Sequence, residues 1–479
     1  MVCRIGALVA DTLAHAPLAH WAHVRAQAVA MDDGHTQLTF AELHTAVEQH
    51  AQALTQRQAP ATVFVDDQLN TLQQMVSFMG IIRSGRCAAV SDPDWPSAVR
   101  DNVKRELGSA LTQPTTTPAA TPTSPFYIGF TSGSTGVPKG FRRHHQSWTE
   151  SLRVCLDTFG PDAASCVMAP GRFSHSLFLF GMVLGLWSGA GVVVQPRFSA
   201  PRMMDILRSD RTPCLVAVPS QLLLMLELAA RRNTAPIEGV RLILISGARW
   251  MRDRTAALQI LFPKARIVEF YGASETSFMA WMEADASAPP QAVGKPFANV
   301  DIDIRAPQAP LGTGQIFVRS PMLFTDYVGT PDHTAAVRDG DWLSVRDMGY
   351  VDAQGYLCLV GRENRMLVTQ GKNLFPEEVE SVLMSCPDVA NASVQGVPDP
   401  IRGQQVVALL NTTATRVTAQ QLANVCRAQL ESYKVPKRFL ACTPWPLTAS
   451  GKTDHPALAL MLQQYLSDAS STPCLQPIL

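Results

Sequence analysis

FTSGSTGVPKG, residues 130–140, gathers three glycines, four hydroxyl side chains and one lysine into a single loop. A Walker A phosphate loop reads GxxxxGK followed by Ser or Thr. Here Pro138 stands at the second glycine and Gly140 follows Lys139, and Pro138 lacks the N–H that such a cradle uses. Thr131, Ser132, Ser134 and Thr135 nevertheless offer hydroxyl donors, Gly133 and Gly136 let backbone approach a ligand, and Lys139 adds a mobile positive charge. Such a loop suits a polyphosphate that must depart as well as bind. A serine–glycine surface turn is the competing reading, and eleven residues in this order argue against it.

Around the loop, short apolar runs alternate with helical patterns. Thr39-Phe40-Ala41-Glu42 reads as a capping box, and Leu43, Val47, Ala51 and Leu54 follow at helical spacing. ATVFVDD (61–67), CAAVSD (87–92), LVAVPS (215–220), RLILISG (241–247) and RIVEFYG (266–272) read as strands, with a helix over 72–82. This rhythm predicts an α/β fold of largely parallel sheets covered by helices. QPTTTPAATPTSP (113–125) has no hydrophobic period and reads as a surface connection into the FYIGF strand before the loop. After about Gly361 the pattern restarts: Pro376 opens a helix over EEVESVLMS, NASVQG supplies a strand, and Thr418-Ala419-Gln420-Gln421 caps another helix. A large domain over 1–361 and a smaller α+β domain over 362–479 are expected, joined near 362–365.

Composition narrows the class. The chain of 479 residues is 46% hydrophobic, enough for large cores, and its 40 basic residues balance 40 acidic ones. Bulk charge therefore gives no case for nucleic acid or an anionic membrane as partner. The 10 cysteines form no CxxC pair, which argues against zinc and dithiol classes and reads as buried thiols in a reducing cytoplasm. The first residues, MVCRIGALVADTLAH, hold too short an apolar run for a signal peptide. The uncharged stretch 176–195, SLFLFGMVLGLWSGAGVVVQ, meets the length of a membrane span and contains Gly181 and Gly185 in a GxxxG pattern. Ser188, Gly189, Ala190 and Gly191 divide it into an apolar helix and a Val192–Val194 strand, so no membrane span is expected.

The loop together with several further motifs resembles the adenylate-forming superfamily of acyl- and aryl-CoA synthetases, peptide-synthetase adenylation domains and beetle luciferases. The resemblance runs over nearly the whole chain. YGASET (271–276) resembles that superfamily's YGxTE. The resemblance implies that Tyr271 stacks on adenine beside Gly272, that Ser274 replaces a phosphate-contacting threonine, and that Glu275 ligates Mg²⁺. ISGARW (245–250) resembles SGGAPL, so Gly247 and Ala248 are expected along the nucleotide. DWLSVRDMGYVD (341–352) resembles WxxTGDxGxxD, which assigns Asp347 to the ribose hydroxyls, although Val345 and Arg346 replace the usual Thr-Gly. GRENRMLVTQGKNLFPEEVE (361–380) resembles the hinge and the start of a mobile carboxy-terminal lid. It implies ribose binding by Arg362, a pivot at Asn364 and a thiol-tunnel wall at Gly371. PLTASGKTDHPAL (446–458) resembles PxTxSGKxxRxxL, with Lys452 as the catalytic lysine and His455 where arginine is usual. His175, Ser246 and Ala273 are expected to line the acyl pocket.

These parts imply ATP, Mg²⁺ and a carboxylic acid forming an acyl-adenylate, followed by transfer to a thiol. GKNLFPEEVE is more like the acyl- and aryl-CoA ligases than the GFRIE type of peptide synthetases. Only 27 residues (479 minus 452) follow Lys452, fewer than the ~50 of a fused carrier domain. CoA is the expected thiol, and a free-standing acyl carrier protein is the alternative. The pocket walls suit a medium or longer aliphatic acid. An aromatic acid is the alternative, as is a dicarboxylate held by Arg172 or Arg249. Retention of Lys452 beside Glu275, Asp347 and Arg362 counts against a silent acyl-adenylate binder, which has no need of the lysine.

Overall fold

Thr39 starts the helix Phe40–Gln56 with a reciprocal capping box: its hydroxyl accepts from the Glu42 N–H, and the Glu42 carboxylate accepts from the Thr39 N–H. The apolar stripe Leu43, Val47, Ala51 and Leu54 is buried as its spacing predicts. The computed structural model of the chain describes residues 13–113, 115–116, 119–131, 138–284, 287–289, 291–308, 312–369, 372–399, 403–412, 417–448, 451–468 and 474–478. One unit comprises Met1–Asp303, Phe317–Val345 and Ala353–Leu357; the other comprises Ile304–Ile316, Arg346–Asp352 and Cys358–Leu479.

In the first unit, strands Val29–Asp32, Val192–Val194, Val167–Ala169, Cys214–Ala217, Leu242–Ile245 and Arg266–Ala273 lie side by side and parallel. The continuous burial of the four inner strands is what a sheet covered on both faces requires. A second sheet runs Thr62–Val65, Cys87–Val90 and Pro125–Thr131 in parallel, then Lys139–His144 and Asp326–Tyr327 antiparallel.

The uncharged stretch divides as expected, into the helix Ser176–Trp187 and the strand Val192–Val194. A Cβ on Gly185 would lie 2.4 Å from the Gly191 carbonyl oxygen. The second glycine of the pattern thus serves close packing against the chain's own backbone. No described helix is long and apolar enough to cross a membrane. The LVAVPS run corrects the strand reading. The strand stops at Ala217, and Pro219 begins the helix Pro219–Arg232, since a first-turn residue loses nothing by lacking an N–H. Among the described cysteines, all are free thiols, and burial pushes the Cys87 thiol up to about 12.

In the second unit, strands Val389–Asp399, Gly403–Thr412, Arg438–Cys442 and Leu475–Pro477 form one sheet. Alternation along Gly403–Thr412 sends Val406, Ala408 and Leu410 into a core with Val379, Leu383, Leu422 and Cys426. Val407 and Leu409 point the other way, into a core with Leu440, Leu458 and Leu462. Helices Pro376–Met384 and Ala419–Gln429 therefore cover one face, and His455–Ser467 covers the other.

Candidate active site

Four neighbouring parallel strands end at the same edge of the first unit's sheet, and the sequence-predicted site residues follow those ends. His175 comes after Val167–Ala169, Ser246–Gly247 after Leu242–Ile245, and Tyr271–Ala273 close Arg266–Ala273; Val218 and Gln221 follow Cys214–Ala217 at the same edge. Carboxyl ends of parallel strands are where open α/β sheets bind ligands. Gln221 ties two of these loops together: its amide nitrogen donates to the Pro170 carbonyl at 2.6 Å, and its oxygen accepts from the Val218 N–H at 3.2 Å. Gly247 takes a left-handed φ of +88°, where a glycine is favoured, and Val218 packs over it. Ser246 is buried and Ala248 is exposed.

The turn after Tyr271 is tightly built. The Thr276 hydroxyl accepts from the Ala273 N–H at 3.0 Å, and Ser274 and Ser176 hydroxyls lie 3.3 Å apart. Gly272 has a local reason that sequence reasoning assigned to the nucleotide. The register shifts between Tyr271 and Gly272, and a Cβ there would sit 1.8 Å from the Ser277 carbonyl oxygen. Glu275 is buried, its Oε1 accepts from the Tyr327 hydroxyl at 2.7 Å, and its carbonyl accepts from the Phe324 N–H at 2.7 Å.

Thr131 and Lys139 pair across the antiparallel strands Pro125–Thr131 and Lys139–His144, so the glycine-rich segment connects two strands of one sheet. Ser132, Gly133, Ser134, Thr135 and Gly136 lie outside the described residues, as does Gly371. Lys139 Nζ stands 5.9 Å from the centre of the Tyr327 ring. Tyr327 thus touches two predicted site residues, yet no motif read from the sequence included it. The other omission is Arg143, whose guanidinium donates to the Ser274 carbonyl at 2.7 Å.

In the second unit, Arg362 Nε lies 3.0 Å from Oδ1 of the buried Asp347. The two predicted ribose groups are brought together. Arg346, which stands at the glycine position of the resembled motif, adopts φ +64°, and its carbonyl accepts from the Glu363 N–H at 2.9 Å. The left-handed position is here filled by a non-glycine residue. Asn364 sits in the single 3₁₀ turn Glu363–Arg365. Lys452 is exposed near a tight turn in which the Thr448 N–H donates to the Lys452 carbonyl at 2.7 Å, and Gly451 has φ +77°. His455 Nδ1 is 2.9 Å from the Ser393 hydroxyl, and burial holds its imidazole below the usual range.

The two arginines considered for a second substrate carboxylate are otherwise engaged. Arg172 pairs with Asp92 at 3.1 Å and with Asp94 at 2.5 Å. Arg249 is exposed and donates to the Gln291 carbonyl at 3.3 Å. For a metal, Glu275 offers one fixed carboxylate, and no described cluster of three acidic, His or Cys ligands exists. One carboxylate completed by phosphate oxygens fits magnesium and does not fit an all-protein cage.

Comparison with known proteins bears on the same regions. The AMP-binding enzyme family matches residues 97–328, and the AMP-binding enzyme C-terminal domain matches residues 378–452. An uncharacterised acyl-CoA ligase of Bacillus subtilis, YhfT, is 38% identical over 370 residues, covering 76% of this chain and 74% of its own. A Staphylococcus epidermidis protein named "Putative long chain fatty acid-CoA ligase VraA" is 30% identical over 339 residues, covering 69% of this chain and 70% of its own. Among solved structures, o-succinylbenzoate CoA synthetase (MenE) from Bacillus subtilis, in complex with its acyl-adenylate intermediate, superposes with a TM-score of 0.82. It is 22% identical, with 94% of this chain and 98% of that one covered, a likeness of fold.

Proposed function

The chain belongs to the adenylate-forming family of AMP-binding enzymes and is an AMP-forming acid–thiol ligase, and on that premise we propose that it joins a medium or longer aliphatic monocarboxylic acid to CoA. The engagement of Arg172 by Asp92 and Asp94 carries the monocarboxylate reading, because a cation already neutralised by two carboxylates has little to offer a third. Likeness to VraA supports the aliphatic chain, as does the apolar helix Ser176–Trp187 beginning beside His175.

In the first half-reaction a carboxylate oxygen attacks the α-phosphorus of ATP, and the bond to the β-phosphate breaks as pyrophosphate leaves. Protein side chains supply position and charge rather than covalent chemistry. Tyr271 would stack on the adenine and Gly247 would lie along the nucleotide, and Asp347, paired with Arg362, would accept from the ribose hydroxyls. Magnesium, bound with ATP, would be held by Glu275 and neutralise phosphate charge. Hydroxyls of the 131–135 segment, with Lys139, steady the departing pyrophosphate. Ser274 contacts the α-phosphate, and Lys452 neutralises charge developing on it.

In the second half-reaction the CoA thiol sulfur attacks the acyl carbon, its proton is lost, and AMP leaves with the former anhydride oxygen. Lys452 has no part in this step, and Gly371 lines the thiol's approach. Movement of the carboxy-terminal lid about Asn364 separates the two steps. The test is an acid panel read as pyrophosphate release, with CoA or a phosphopantetheinylated carrier protein as acceptor. Turnover with C8–C16 monocarboxylates and CoA is expected. Preference for a dicarboxylate or for the carrier would overturn the assignment.

A further inference from the structure

The strand Lys139–His144 carries two consecutive arginines, which face opposite sides of the sheet. Arg142 makes a forked pair with Asp326, Nε to Oδ1 at 2.9 Å and Nη2 to Oδ2 at 2.5 Å. Arg143 turns inward and is only 2% exposed. Its guanidinium donates to neutral acceptors on Ser147, one helical turn further along the chain, and on two distant segments, 274–277 and 322. Nε reaches the Ser147 hydroxyl at 3.1 Å, and Nη1 reaches the Ser274 carbonyl at 2.7 Å. Nη2 reaches the Ser277 hydroxyl at 2.6 Å, the Met322 carbonyl at 2.7 Å and the Ser147 carbonyl at 3.3 Å.

A buried cation is a costly way to fill space, since an apolar side chain of similar volume commonly serves stability as well or better. Burial lowers the Arg143 pKa to about 9, which still leaves it charged at neutral pH. What the charge gains is geometric. One of its acceptors is the peptide carbonyl just before Glu275, and another lies in the segment that leads to Tyr327, whose hydroxyl binds the Glu275 carboxylate. Arg142 fixes the far end of that segment through Asp326. The strand that leaves the glycine-rich loop thus grips both supports of Glu275.

We propose that Arg143 is a positioning residue that holds the Ser274–Glu275 peptide and the 322–327 segment in register, aiming the Glu275 carboxylate before nucleotide arrives. The proposal rests on Glu275 as the carboxylate that meets the metal–nucleotide. Its test is the affinity of Mg·ATP measured by titration calorimetry without acid, so that no turnover is read. Arg143→Lys keeps the charge but loses the planar fork, and is expected to weaken binding roughly tenfold, the scale of one charge-assisted hydrogen bond. Glu275→Gln is expected to weaken it as well, and the double variant no further than Glu275→Gln alone.

Losses that add in the double variant, or undiminished affinity in Arg143→Lys beside a weakened Glu275→Gln, overturn Arg143's role while leaving that of Glu275 intact. Undiminished affinity in Glu275→Gln removes the reading of Glu275 and this proposal with it. Thermal melting without ligand checks that each variant folds. Should Arg143→Lys not fold, Ser277→Ala takes one acceptor from the same guanidinium and carries the same expectation of weaker, Glu275-dependent binding.

Discussion

The Tyr327 hydroxyl donates a 2.7 Å hydrogen bond to Oε1 of Glu275, while the ring of the same tyrosine lies 5.9 Å from Lys139 Nζ. One side chain thereby fixes an acidic group and accompanies a basic one. Tyr327→Phe separates the two effects, since it keeps the ring and loses only the hydroxyl. It is expected to raise the magnesium needed for half-maximal adenylation roughly tenfold. Tyr327→Leu, which also removes the ring, is expected to raise the KM for ATP further. Initial rates across a magnesium titration check both.

Arg346 occupies a left-handed conformation that costs a non-glycine residue about 1 kcal/mol. A β-branched replacement fits such a position worst. Arg346→Val is expected to lower unfolding stability by ~1–2 kcal/mol, whereas Arg346→Gly stays within ~1 kcal/mol of the parent, relief of strain offsetting a floppier unfolded chain. Urea denaturation midpoints with unchanged slope would report this.

His15 and His145 lie with ring centres 5.6 Å apart, and burial lowers their pKa values to about 4 and about 3. Neutral His145 accepts from the Ala14 N–H at 3.1 Å. In the unfolded chain both imidazoles titrate near their ordinary value, so between that value and about 4 the unfolded state binds more protons. Stability from these groups is therefore full above pH ~6.5 and falls as pH drops, by ~2 kcal/mol per histidine at pH 5. Stability measured from pH 7 to pH 5 should decline with a slope that His145→Gln makes shallower. An unchanged slope would contradict the assignment.

How much of this was legible beforehand differs with the range of the interaction. The helix Phe40–Gln56 is written locally, in a four-residue cap and a periodic stripe, and its ends and buried face follow from them. Asp347 and Arg362 were legible as motif positions, and the structure adds their 3.0 Å pairing. Arg143 carried no such signal. In RRHH it reads as one more solvated charge, and its burial is decided by carbonyls 131 and 179 residues away. Tyr327 is similarly remote, 52 residues from Glu275. Gly272 was read for its ligand, whereas its missing Cβ already has a use in the hairpin, where the Ser277 carbonyl occupies that space.

Lys452→Ala, with the two half-reactions assayed apart, isolates the lysine's role in adenylation. Acid-dependent exchange of labelled pyrophosphate into ATP and thioester formation from synthetic acyl-adenylate plus CoA are measured side by side. Exchange is expected to fall by at least ~100-fold, as when a charge-stabilising group is removed, while thioester formation stays within a few-fold of the parent. Equal loss of both half-reactions, or exchange that survives without the lysine, would contradict that role.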